Sequence, residues 1–482
     1  MNLVAQPRYR REDLRTGIVH IGVGNFHRAH QAMYIDRLLN QGGSTEWAIC
    51  GVGLLLRDAQ VRDALRGQDM RYTLVERSPD GRATARTIAA IADYLYAPDE
   101  PEAVVERLAH PGTKIVTLTI TEGGYNLTGD GTFNADDPAV RRDLAPGAVP
   151  ATVFGVVVES LRRRRDRGIP AFTIVSCDNL PGNGSVARRS FTSYAGLIDP
   201  GLGDWIGREA AFPNSMVDRI TPVTTDETRR YVADTFGVVD AWPVVCEDFT
   251  EWVLEDQFTL GRPALQDAGV RLVPDVTPYE LMKLRLLNAG HQAIAYFGYL
   301  MGYRYAHEAI TDPAVAALVT RYMKEEAEPT LAPVPGIDLA DYERSLLARF
   351  ANSHVPDTLL RLGTDGSDRI AKFLLPVVRD RKDRGLTSPW SAAIVASWAA
   401  FARGADEDGI PIDFTDRQRE LIDAAVTRQA SEPAGFLAVS ELFGELGDDA
   451  EFAGQFAASY RQIAEHGARF ALESLTGCSP ST

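Results

Sequence analysis

The chain has few of the residues that build disulfide frameworks, metal centres and nucleic-acid interfaces. It contains 4 cysteines in 482 residues, without a CxxC pair or a regular spacing, which argues against a disulfide scaffold and a thiolate zinc site. Its 8 histidines are accompanied by no cluster of carboxylates, so we expect no metal site. Acidic residues outnumber basic ones by 66 to 50, and the net charge of −16 disfavours nucleic acid and anionic lipid as partners.

Long apolar runs are missing as well. No stretch approaches the ~18 uninterrupted apolar residues of a membrane-spanning helix. No apolar segment follows the basic residues Arg8, Arg10 and Arg11 near the N-terminus, as it would in a secretion signal. We therefore expect a cytoplasmic protein that is a monomer or a small homo-oligomer.

The composition is that of a folded globular protein. Hydrophobic residues make up 45% and charged residues 24% of the chain, which argues against disordered, collagen-like and coiled-coil classes. The length is about three times the ~150 residues of a typical domain, so two or three domains are expected.

The first part of the chain has the pattern of an α/β fold. Up to about Asp178, short β-branched runs alternate with helical patterns, which is typical of βαβ units in a parallel sheet. A strand-like piece around residues 244–246 is predicted to extend the same sheet. The other predicted strands are residues 18–21, 47–52, 72–75, 114–118 and 172–175, and the predicted helices are residues 30–39, 103–108 and 153–165.

From about Pro278 onward, the β pattern is replaced by long apolar stripes at helical spacing. The sequence therefore predicts an α/β protein with two domains. Residues 1–277 are predicted to form a Rossmann-type, doubly wound sheet domain, and residues 278–482 a mainly α-helical domain.

A GxGxx pattern joins the first predicted strand to a helix. Gly22 and Gly24 follow residues 18–21, at the place where a Rossmann fold brings backbone N–H groups up to a pyrophosphate. The third glycine of the usual fingerprint is replaced by His27. On spacing alone, a tight turn in any α/β protein therefore remains an equal alternative to a dinucleotide site.

A charged pair after the second predicted strand bears on the choice of cofactor. An acid at this place accepts the ribose hydroxyls of NAD, and Asp58 is the candidate. Its charge disfavours the 2′-phosphate of NADP, whereas the preceding Arg57 favours it. The pair tilts the prediction toward NAD without excluding NADP, and two surface charges in a loop remain the alternative.

Three polar residues interrupt a strongly apolar helical stretch in the second half. At ~100° per residue, Asn288 lies about 140° and His291 about 80° from Lys283, so all three are predicted to point to one side. Apolar neighbours disfavour the ammonium form of Lys283 and lower its expected pKa toward that of a general base. A buried ion pair with Glu280 is the alternative. Gly290 costs about 1 kcal/mol inside a helix relative to Ala, which indicates a close approach by backbone or ligand.

A second polar cluster follows the predicted strand at residues 172–175. Ligands of open α/β sheets bind beyond the carboxyl ends of the strands, which is where Asn179 is expected. Its amide could donate a hydrogen bond to an alkoxide. The alternative is a turn that uses Asn, Pro and Gly for conformational reasons.

Four segments together resemble the polyol-specific long-chain dehydrogenase/reductase family, and within it the mannitol-oxidising members. The resemblance covers roughly residues 15 to 470, and the order of four motifs is more specific than any one of them. The segments are Gly22-Val23-Gly24-Asn25-Phe26-His27-Arg28-Ala29-His30, Ser176-Cys177-Asp178-Asn179-Leu180, Met216-Val217-Asp218-Arg219-Ile220-Thr221-Pro222, and Lys283 with Asn288 and His291.

The resemblance implies a role for residues in each segment. Lys283 stands at the position of the family's general base, and Asn179 and Asn288 at those of the amides that polarise the substrate oxygen. His291 and Asp218 are implied to help position the substrate.

Further roles follow from the same resemblance, which is to a zinc-independent family. Glu280 is implied to tune proton exchange with solvent, and Arg361 and Arg369 to bind the far hydroxyls of the substrate. Related members tend to carry lysine where Arg369 stands, which bears on substrate specificity. An alternative for Arg28 is that it caps and packs the first helix. The implied cofactor-binding residues are Gly22, Gly24, Asn25, Phe26, Arg28 and Asp58.

The expected reaction is the reversible NAD-dependent oxidation of a secondary alcohol on an acyclic polyol, with D-mannitol and D-fructose as the leading pair. Arabinitol and sorbitol are further candidate substrates. The alternative within the family is a hexuronate reductase that converts fructuronate to mannonate, whose carboxylate would pair with Arg361 or Arg369. An alternative of another class is a nicotinamide-binding sensor without catalysis, which has no need of a desolvated base.

Overall fold

The computed structural model describes residues 4–129 and 131–478. Contacts within the chain divide it into two compact units, Met1–Thr277 and Pro278–Thr482. The first unit combines sheets and helices, whereas the second is helical.

The first unit contains all the strands among the described residues. They are β1 (Val4–Ala5), β2 (Thr16–Ile21), β3 (Ala48–Gly53), β4 (Tyr72–Arg77), β5 (Ala83–Ile88), β6 (Ile91–Tyr96), β7 (Ile115–Leu118), β8 (Thr173–Ser176), β9 (Ser215–Asp218), β10 (Val244–Glu247), β11 (Glu251–Glu255) and β12 (Arg271–Val273). The helices are α1 (Asn25–Ala29), α2 (Gln31–Asn40), α3 (Ala59–Gly67), α4 (Pro101–Ala109), α5 (Pro138–Asp143), α6 (Val153–Asp166), α7 (Asn183–Ile198), α8 (Pro200–Glu209) and α9 (Asp226–Phe236).

The largest sheet has five parallel strands in the order β6-β3-β2-β7-β8. Successive side chains of β2 enter two different apolar cores, because Ile18 belongs to one and Val19 to the other. Helix α2 packs in the first core, and helices α4 and α6 pack in the second. Both faces are therefore buried, which explains why the strands are almost continuously apolar. The predicted doubly wound, Rossmann-type sheet is confirmed, with predicted strands 18–21, 47–52, 114–118 and 172–175 as β2, β3, β7 and β8.

Two strand predictions were wrong in their partners. Residues 72–75 and 244–246 do form strands, but β4 and β10 pair in a separate four-stranded sheet of order β1-β5-β4-β10. Strand β4 turns straight back into β5, with the Ser78 N–H donating to the Arg82 carbonyl at 2.9 Å, so the two strands pair antiparallel. A connection this short leaves no room for the crossover that a parallel neighbour needs. A third sheet has the order β12-β11-β9.

The second unit is mainly helical, as predicted, and isolated bridges replace strands in its described residues. Among the residues described here, no helix is both long and apolar enough to cross a membrane. The helices are α10 (Thr277–Met282), α11 (Ala289–Leu300), α12 (Ala306–Ile310), α13 (Pro313–Arg321), α14 (Leu339–Phe350), α15 (Leu359–Gly363), α16 (Gly366–Arg369), α17 (Leu375–Asp383), α18 (Pro389–Phe401), α19 (Arg419–Gln429), α20 (Ser440–Phe443) and α21 (Ala450–Thr476).

Three π-helical segments interrupt the helices of the second unit: Lys283–Asn288, Tyr322–Ala327 and Ile370–Leu374. The first joins α10 to α11 in one continuous helix. In a π-helical turn the backbone hydrogen bond runs over five residues, and such turns are frequent at functional sites. The stretch predicted as one regular α-helix is therefore widened where its polar residues lie.

Candidate active site

The glycine turn lies between β2 and α1 in the first unit. Gly22 has φ of +96°, and a Cβ on it would lie 2.1 Å from the carbonyl oxygen of Thr119, just beyond β7. Only glycine fits this backbone, because the φ value and the space both exclude a side chain. Strands β2 and β7 are neighbours at the centre of the sheet, where the strand order reverses and dinucleotides bind in Rossmann folds.

Gly24 differs from Gly22 in that none of the described residues opposes a side chain there. The nearest atom to a Cβ on Gly24 would be the Gly22 carbonyl oxygen, at 3.9 Å. The open space above this backbone, directly before α1, is the space that a pyrophosphate needs for a close approach. The turn therefore fits a dinucleotide on its geometry as well as on its sequence.

A buried histidine supports the turn from beneath. His20, within β2, bonds the hydroxyls of Thr117 and Thr119 at 2.7 and 2.9 Å, and the Thr119 hydroxyl donates to the Gly22 carbonyl at 2.6 Å. Burial lowers the pKa of His20 to about 3, so the ring is neutral at physiological pH. Sequence reasoning missed this network because its members are distant in the chain.

His27 stands where the usual third glycine would be. Its ring stacks on that of His20, with the centroids 3.3 Å apart. Neither of its ring nitrogens has a hydrogen-bond partner among the described residues, and burial holds its pKa well below the usual value. These contacts are those of a neutral ring packed in the interior.

The polar side chains of α1 are engaged within the first unit. The Asn25 amide donates to the Pro222 carbonyl and the Thr224 hydroxyl, both at 2.9 Å. Arg28 is fully buried; it donates to the Asn25 side chain at 2.6 Å and to the Trp242 carbonyl. Burial lowers the pKa of Arg28 to about 10.

Arg28 thus occupies the packing position that was its alternative, and its role as a cofactor ligand stays a prediction. Phe26 is half-buried and stacks on His30 with the ring centroids 4.9 Å apart. The cofactor roles of Asn25 and Phe26 also stay predictions.

Asp58 follows β3, the second strand of the Rossmann sheet in chain order. One of its carboxylate oxygens accepts the Leu55 N–H at 2.9 Å, which fixes the loop after the strand. The side chain lies directly over Gly53, where an added Cβ would be 2.8 Å from the Asp58 Cβ. Arg57 is exposed. The placement matches that of the acid in NAD sites, and the ribose contact itself remains a prediction.

A buried carboxylate ties the end of β8 to the loop after β7. Asp178 accepts hydrogen bonds from the backbone N–H groups of Ile120 and Thr121 at 3.1 and 2.9 Å, and from the Tyr125 hydroxyl at 2.8 Å. Burial raises the pKa of Asp178 to about 7, although these hydrogen bonds oppose the rise. Thr121 has φ of +64° and ψ of 167°, a region that is almost restricted to glycine. Asp178 therefore helps to hold a strained backbone at the carboxyl end of the sheet.

Asn179 directly follows this carboxylate and is exposed. Its backbone lies just beyond β8, as predicted, and the neighbouring Asp178 carbonyl accepts a hydrogen bond from the Asn183 side chain at 3.0 Å. The other predicted residue of the first unit, Asp218, is the buried last residue of β9 in the three-stranded sheet. Next to it, the buried Arg219 pairs with Glu76 at 2.6 Å.

In the second unit, the predicted base and its partners share one helix. Lys283 begins the π-helical segment and Asn288 ends it, so the two lie one five-residue hydrogen-bonded turn apart. The angles expected for a regular α-helix therefore do not apply between them. Lys283 is 4% and His291 is 9% exposed, and Glu280 of α10 is also buried.

Two further residues that the sequence singled out on this helix are Asn288 and Gly290. The Oδ1 atom of Asn288 is buried and accepts no hydrogen bond from the residues that the structure describes. At Gly290, an added Cβ would meet the Phe350 ring at 3.5 Å, an ordinary contact. A close approach of described protein atoms at Gly290, which the sequence suggested, is thus not observed.

His291 lies among the cations of the second unit. Burial holds its pKa well below the usual value, and the charges of Arg361, Arg349, Arg369 and Lys283 lower it further. The structure therefore brings three of the predicted cations to the predicted histidine and leaves His291 neutral. Arg349 was missed, because α14 carries no motif that sets it apart from other arginines.

Arg361 is ion-paired in a way that the sequence did not suggest. Its Nε donates to Asp357 Oδ1 at 2.6 Å, and its Nη2 donates to the other carboxylate oxygen. Burial acts to lower the pKa of Arg361, but the Asp357 carboxylate raises it above the usual value. Arg369 donates to the Leu362 carbonyl at 3.5 Å. Within residues 4–129 and 131–478, no group of three or more histidine, cysteine or acidic side chains is arranged to hold a metal ion.

Comparison with known families gives matches over both units. Residues 16–267 match the mannitol dehydrogenase Rossmann domain, and residues 275–464 match the mannitol dehydrogenase C-terminal domain. The mannitol 2-dehydrogenase of Neosartorya fischeri is 42% identical over 475 residues, which cover 96% of this chain and 94% of that protein. The mannitol 2-dehydrogenase of Cereibacter sphaeroides is 41% identical over 469 residues, 97% of this chain and 98% of that protein.

Solved structures give the same result. The ternary complex of Pseudomonas fluorescens mannitol 2-dehydrogenase with NAD and D-mannitol matches with a TM-score of 0.93 and 44% identity, covering 99% of this chain and 98% of that one. A D-sorbitol dehydrogenase in substrate-free form matches with a TM-score of 0.87 and 39% identity, covering 98% and 97%. The similarity thus extends over nearly the full length of each protein.

Proposed function

The chain belongs to the mannitol dehydrogenase family of oxidoreductases, and from this premise we propose that it catalyses the reversible, NAD(H)-dependent interconversion of D-mannitol and D-fructose. The observation that carries the proposal is the helix with Lys283, Asn288 and His291: a buried amine, an amide and a neutral imidazole on one π-widened stretch. Support also comes from the relatives that are named mannitol 2-dehydrogenase, one of which was solved with NAD and D-mannitol.

We propose that the first unit binds NAD, which would supply the hydride acceptor. Gly22 sets the turn, and the open backbone at Gly24 takes the pyrophosphate. Asp58 is proposed to accept the adenosine ribose hydroxyls, and its charge to disfavour the 2′-phosphate of NADP. The exposed Arg57 beside it is the residue that could weaken this preference.

Lys283 is the proposed general base. Its amine, neutral in the reactive complex, accepts the proton of the substrate hydroxyl during oxidation and returns it during reduction. The amine is buried, and desolvation of this kind disfavours the charged ammonium form. Glu280, buried on the preceding turn, is proposed to tune proton exchange with solvent.

The amides of Asn179 and Asn288 are proposed to donate hydrogen bonds to the alkoxide that develops on the substrate. A single donor of this kind typically contributes about 3–4 kcal/mol to the transition state. The Oδ1 of Asn288 accepts no hydrogen bond from described residues and is therefore available to accept one from a substrate hydroxyl. His291 and Asp218 are proposed to position the substrate, and Arg361 and Arg369 to bind its far hydroxyls.

The proposed chemistry uses no metal, because side chains fill both roles that a catalytic zinc would serve. Lys283 accepts the proton of the substrate hydroxyl. The two asparagine amides stabilise the negative charge that develops on the substrate oxygen, which a zinc ion would otherwise do.

A second candidate is reduction of fructuronate to mannonate. The specific observation in its favour is the group of cations at His291, since a guanidinium can bind a carboxylate in a bidentate manner. We rank it below the polyol because one of those cations, Arg361, already has a carboxylate partner in Asp357.

A substrate panel with purified protein tests the proposal. D-mannitol, sorbitol and arabinitol are assayed with NAD and with NADP, and fructose and fructuronate with NADH. We expect the highest kcat/KM for D-mannitol with NAD and for fructose over fructuronate with NADH. A preference for fructuronate would move the assignment to the hexuronate reductase, and turnover of none of the five would remove the catalytic proposal.

A further inference from the structure

The pair formed by Asp357 and Arg361 has a geometry that bears on which substrates the protein accepts. The two residues lie four apart, at the start of α15. Asp357 is 7% exposed, whereas 49% of the Arg361 side chain is accessible to solvent. The carboxylate is thus buried, whereas part of the Arg361 side chain remains accessible to solvent.

The backbone of the two residues is held by hydrogen bonds. The Asp357 carbonyl accepts the Ala306 N–H at 2.9 Å, and the Thr358 hydroxyl caps α15 by accepting the Arg361 N–H at 3.3 Å. These bonds fix the backbone of both residues of the ion pair, which keeps the Asp357 carboxylate within reach of Arg361.

Occupation by Asp357 changes what Arg361 can offer. A guanidinium carries five N–H donors, and Asp357 takes the edge formed by Nε and Nη2. The donors left over suit hydroxyl groups, which need a hydrogen bond but no opposite charge. A ligand carboxylate would meet an arginine whose charge is already neutralised, and would lie close to a second carboxylate that repels it.

We propose that Asp357 is a charge-selectivity residue, which acts through Arg361 to favour neutral polyols and ketoses over sugar acids. The inference rests on the proposed function, in which Arg361 contacts the far end of the substrate chain. Asp357 touches neither substrate nor cofactor in this account. It is a positioning residue that sets the charge and the free donors of Arg361.

The test compares Asp357→Asn with the wild-type protein. The substitution keeps the size of the side chain and one acceptor oxygen but removes the charge. Two readouts are used: the ratio of kcat/KM for fructuronate to that for fructose with NADH, and the affinity for D-mannonate measured by titration calorimetry. We expect each to rise about 10-fold, because removing a negative charge roughly 6 Å from a ligand carboxylate in a partly solvated site strengthens its binding by this order.

Two further variants show whether the effect runs through this pair. Asp423→Asn removes the same charge from an exposed pair of the same spacing, Arg419 with Asp423 at 2.8 Å, and should change neither readout. The double variant Asp357→Asn/Arg361→Gln should lose the gain in mannonate affinity. A merely structural role of Asp357 would lower activity on both substrates without changing their ratio.

The outcomes separate this inference from the proposed function. Unchanged mannonate affinity in Asp357→Asn, or an equal gain in the double variant, overturns the inference even if the wild-type protein reduces fructose well. If the wild-type protein reduces no fructose, the proposed function fails, and the calorimetric comparison still decides whether Asp357 excludes carboxylates. A 10-fold gain that depends on Arg361 supports the inference in either case.

Discussion

The two units recognise their proposed ligands with different parts of the chain. In the first, the glycine turn works through its backbone: Gly22 fits only without a side chain, and Gly24 leaves open the space that a side chain would take. The polar side chains beside the turn, Asn25 and Arg28, are occupied by bonds within the unit. In the second unit, which is helical, the groups proposed to contact the substrate are side chains such as those of Lys283 and His291.

This difference follows from what each ligand offers. A pyrophosphate is the same in every dinucleotide, so backbone N–H groups at a turn suffice to bind it and tolerate changes in side chains. A sugar alcohol differs from other small molecules only in the placement of its hydroxyls, which has to be read by individual donors and charges. Substitutions should therefore be tolerated unequally in the two units.

Lys283→Ala gives the largest expected effect, because it removes a side chain that nothing else in the proposal replaces. We expect kcat for D-mannitol oxidation to fall by about 10²–10⁴-fold, the usual contribution of a general base, with NADH binding nearly unchanged. Steady-state rates and NADH fluorescence titrations measure the two. Lys382→Ala, which breaks an ion pair with Asp449 at 3.1 Å, is the control and should retain activity. Near-normal kcat across pH in Lys283→Ala would contradict the base assignment.

A buried acid of the second unit predicts a pH dependence of stability. Glu326, in the π-helical segment Tyr322–Ala327, accepts the backbone N–H groups of Trp390 and Ser391 at 2.7 and 2.9 Å. Burial raises its pKa from 4.5 to about 7, so the folded state binds the proton more tightly than the unfolded chain does. The resulting stabilisation is full below pH 4.5 and is lost as the pH rises through about 7.

The measurement is urea unfolding of wild-type protein and Glu326→Gln between pH 4.5 and pH 8. The free energy of unfolding of the wild type, relative to the variant, should fall by about 3 kcal/mol over this range. Glu325→Gln changes the exposed neighbour and should leave the pH dependence as in the wild type. A pH-independent difference for Glu326→Gln would show that Glu326 is charged throughout. Asp178, with its pKa raised to about 7, makes the same sign of effect in the first unit.

Substitutions of the two glycines of the turn are expected to have different effects. Gly22→Ala places a Cβ 2.1 Å from the Thr119 carbonyl and should destabilise the first unit by at least about 1–3 kcal/mol. Apart from its chain neighbours, Gly24→Ala meets no atom of the described residues closer than 3.9 Å; it should unfold like the wild type, yet bind NADH about 10-fold more weakly. Thermal unfolding and NADH titration separate the two. Unchanged NADH affinity in a folded Gly24→Ala protein would contradict the proposed recognition of the cofactor by the backbone at Gly24.

The smallest expected effect is on the choice of cofactor, where a side chain of the first unit is involved. Asp58→Ala should lower the preference for NAD over NADP by about 5-fold, or ~1 kcal/mol, because the carboxylate is half-exposed and its repulsion is screened. Asp58→Asn keeps an acceptor for the Leu55 N–H and should give the same shift. Asp63→Asn, which breaks the nearby pair with Arg62, should not. An unchanged ratio of kcat/KM values in both Asp58 variants would dismiss the residue.

Most of the fold could be predicted, and the errors have one cause. The strands of the five-stranded sheet and the change to helices near residue 278 are visible as apolar runs and helical periodicities in the sequence. Strands β4 and β10 were recognised as strands and placed in the wrong sheet, because pairing depends on partners far along the chain. For the same reason, the sequence did not predict the hydrogen bonds of His20 with Thr117 and Thr119, or the one that the Thr121 N–H donates to Asp178.

For the candidate site, the sequence predicted which residues share a helix but not all the partners that surround them. The spacing of Lys283, Asn288 and His291 predicted a shared helix, and the structure adds the π-helical turn between the first two. The cations at His291 were predicted in part, whereas the partner of Arg361 was not. An aspartate four residues before an arginine is common on helix surfaces. The sequence therefore does not distinguish the pair of Asp357 and Arg361 from an ordinary solvated pair.

Features that a few adjacent residues encode could be read from the chain alone: the strand–glycine–helix turn, the apolar strands, and three polar residues in an apolar helix. Their physical basis is local, namely the φ angles open to glycine, the alternation of strands and the pitch of helices. The pairing of the strands, the partners of the charged groups and the burial of the acids became visible in the folded protein. Those outcomes depend on distance and desolvation between residues far apart in the chain, and both are set only when the core has closed.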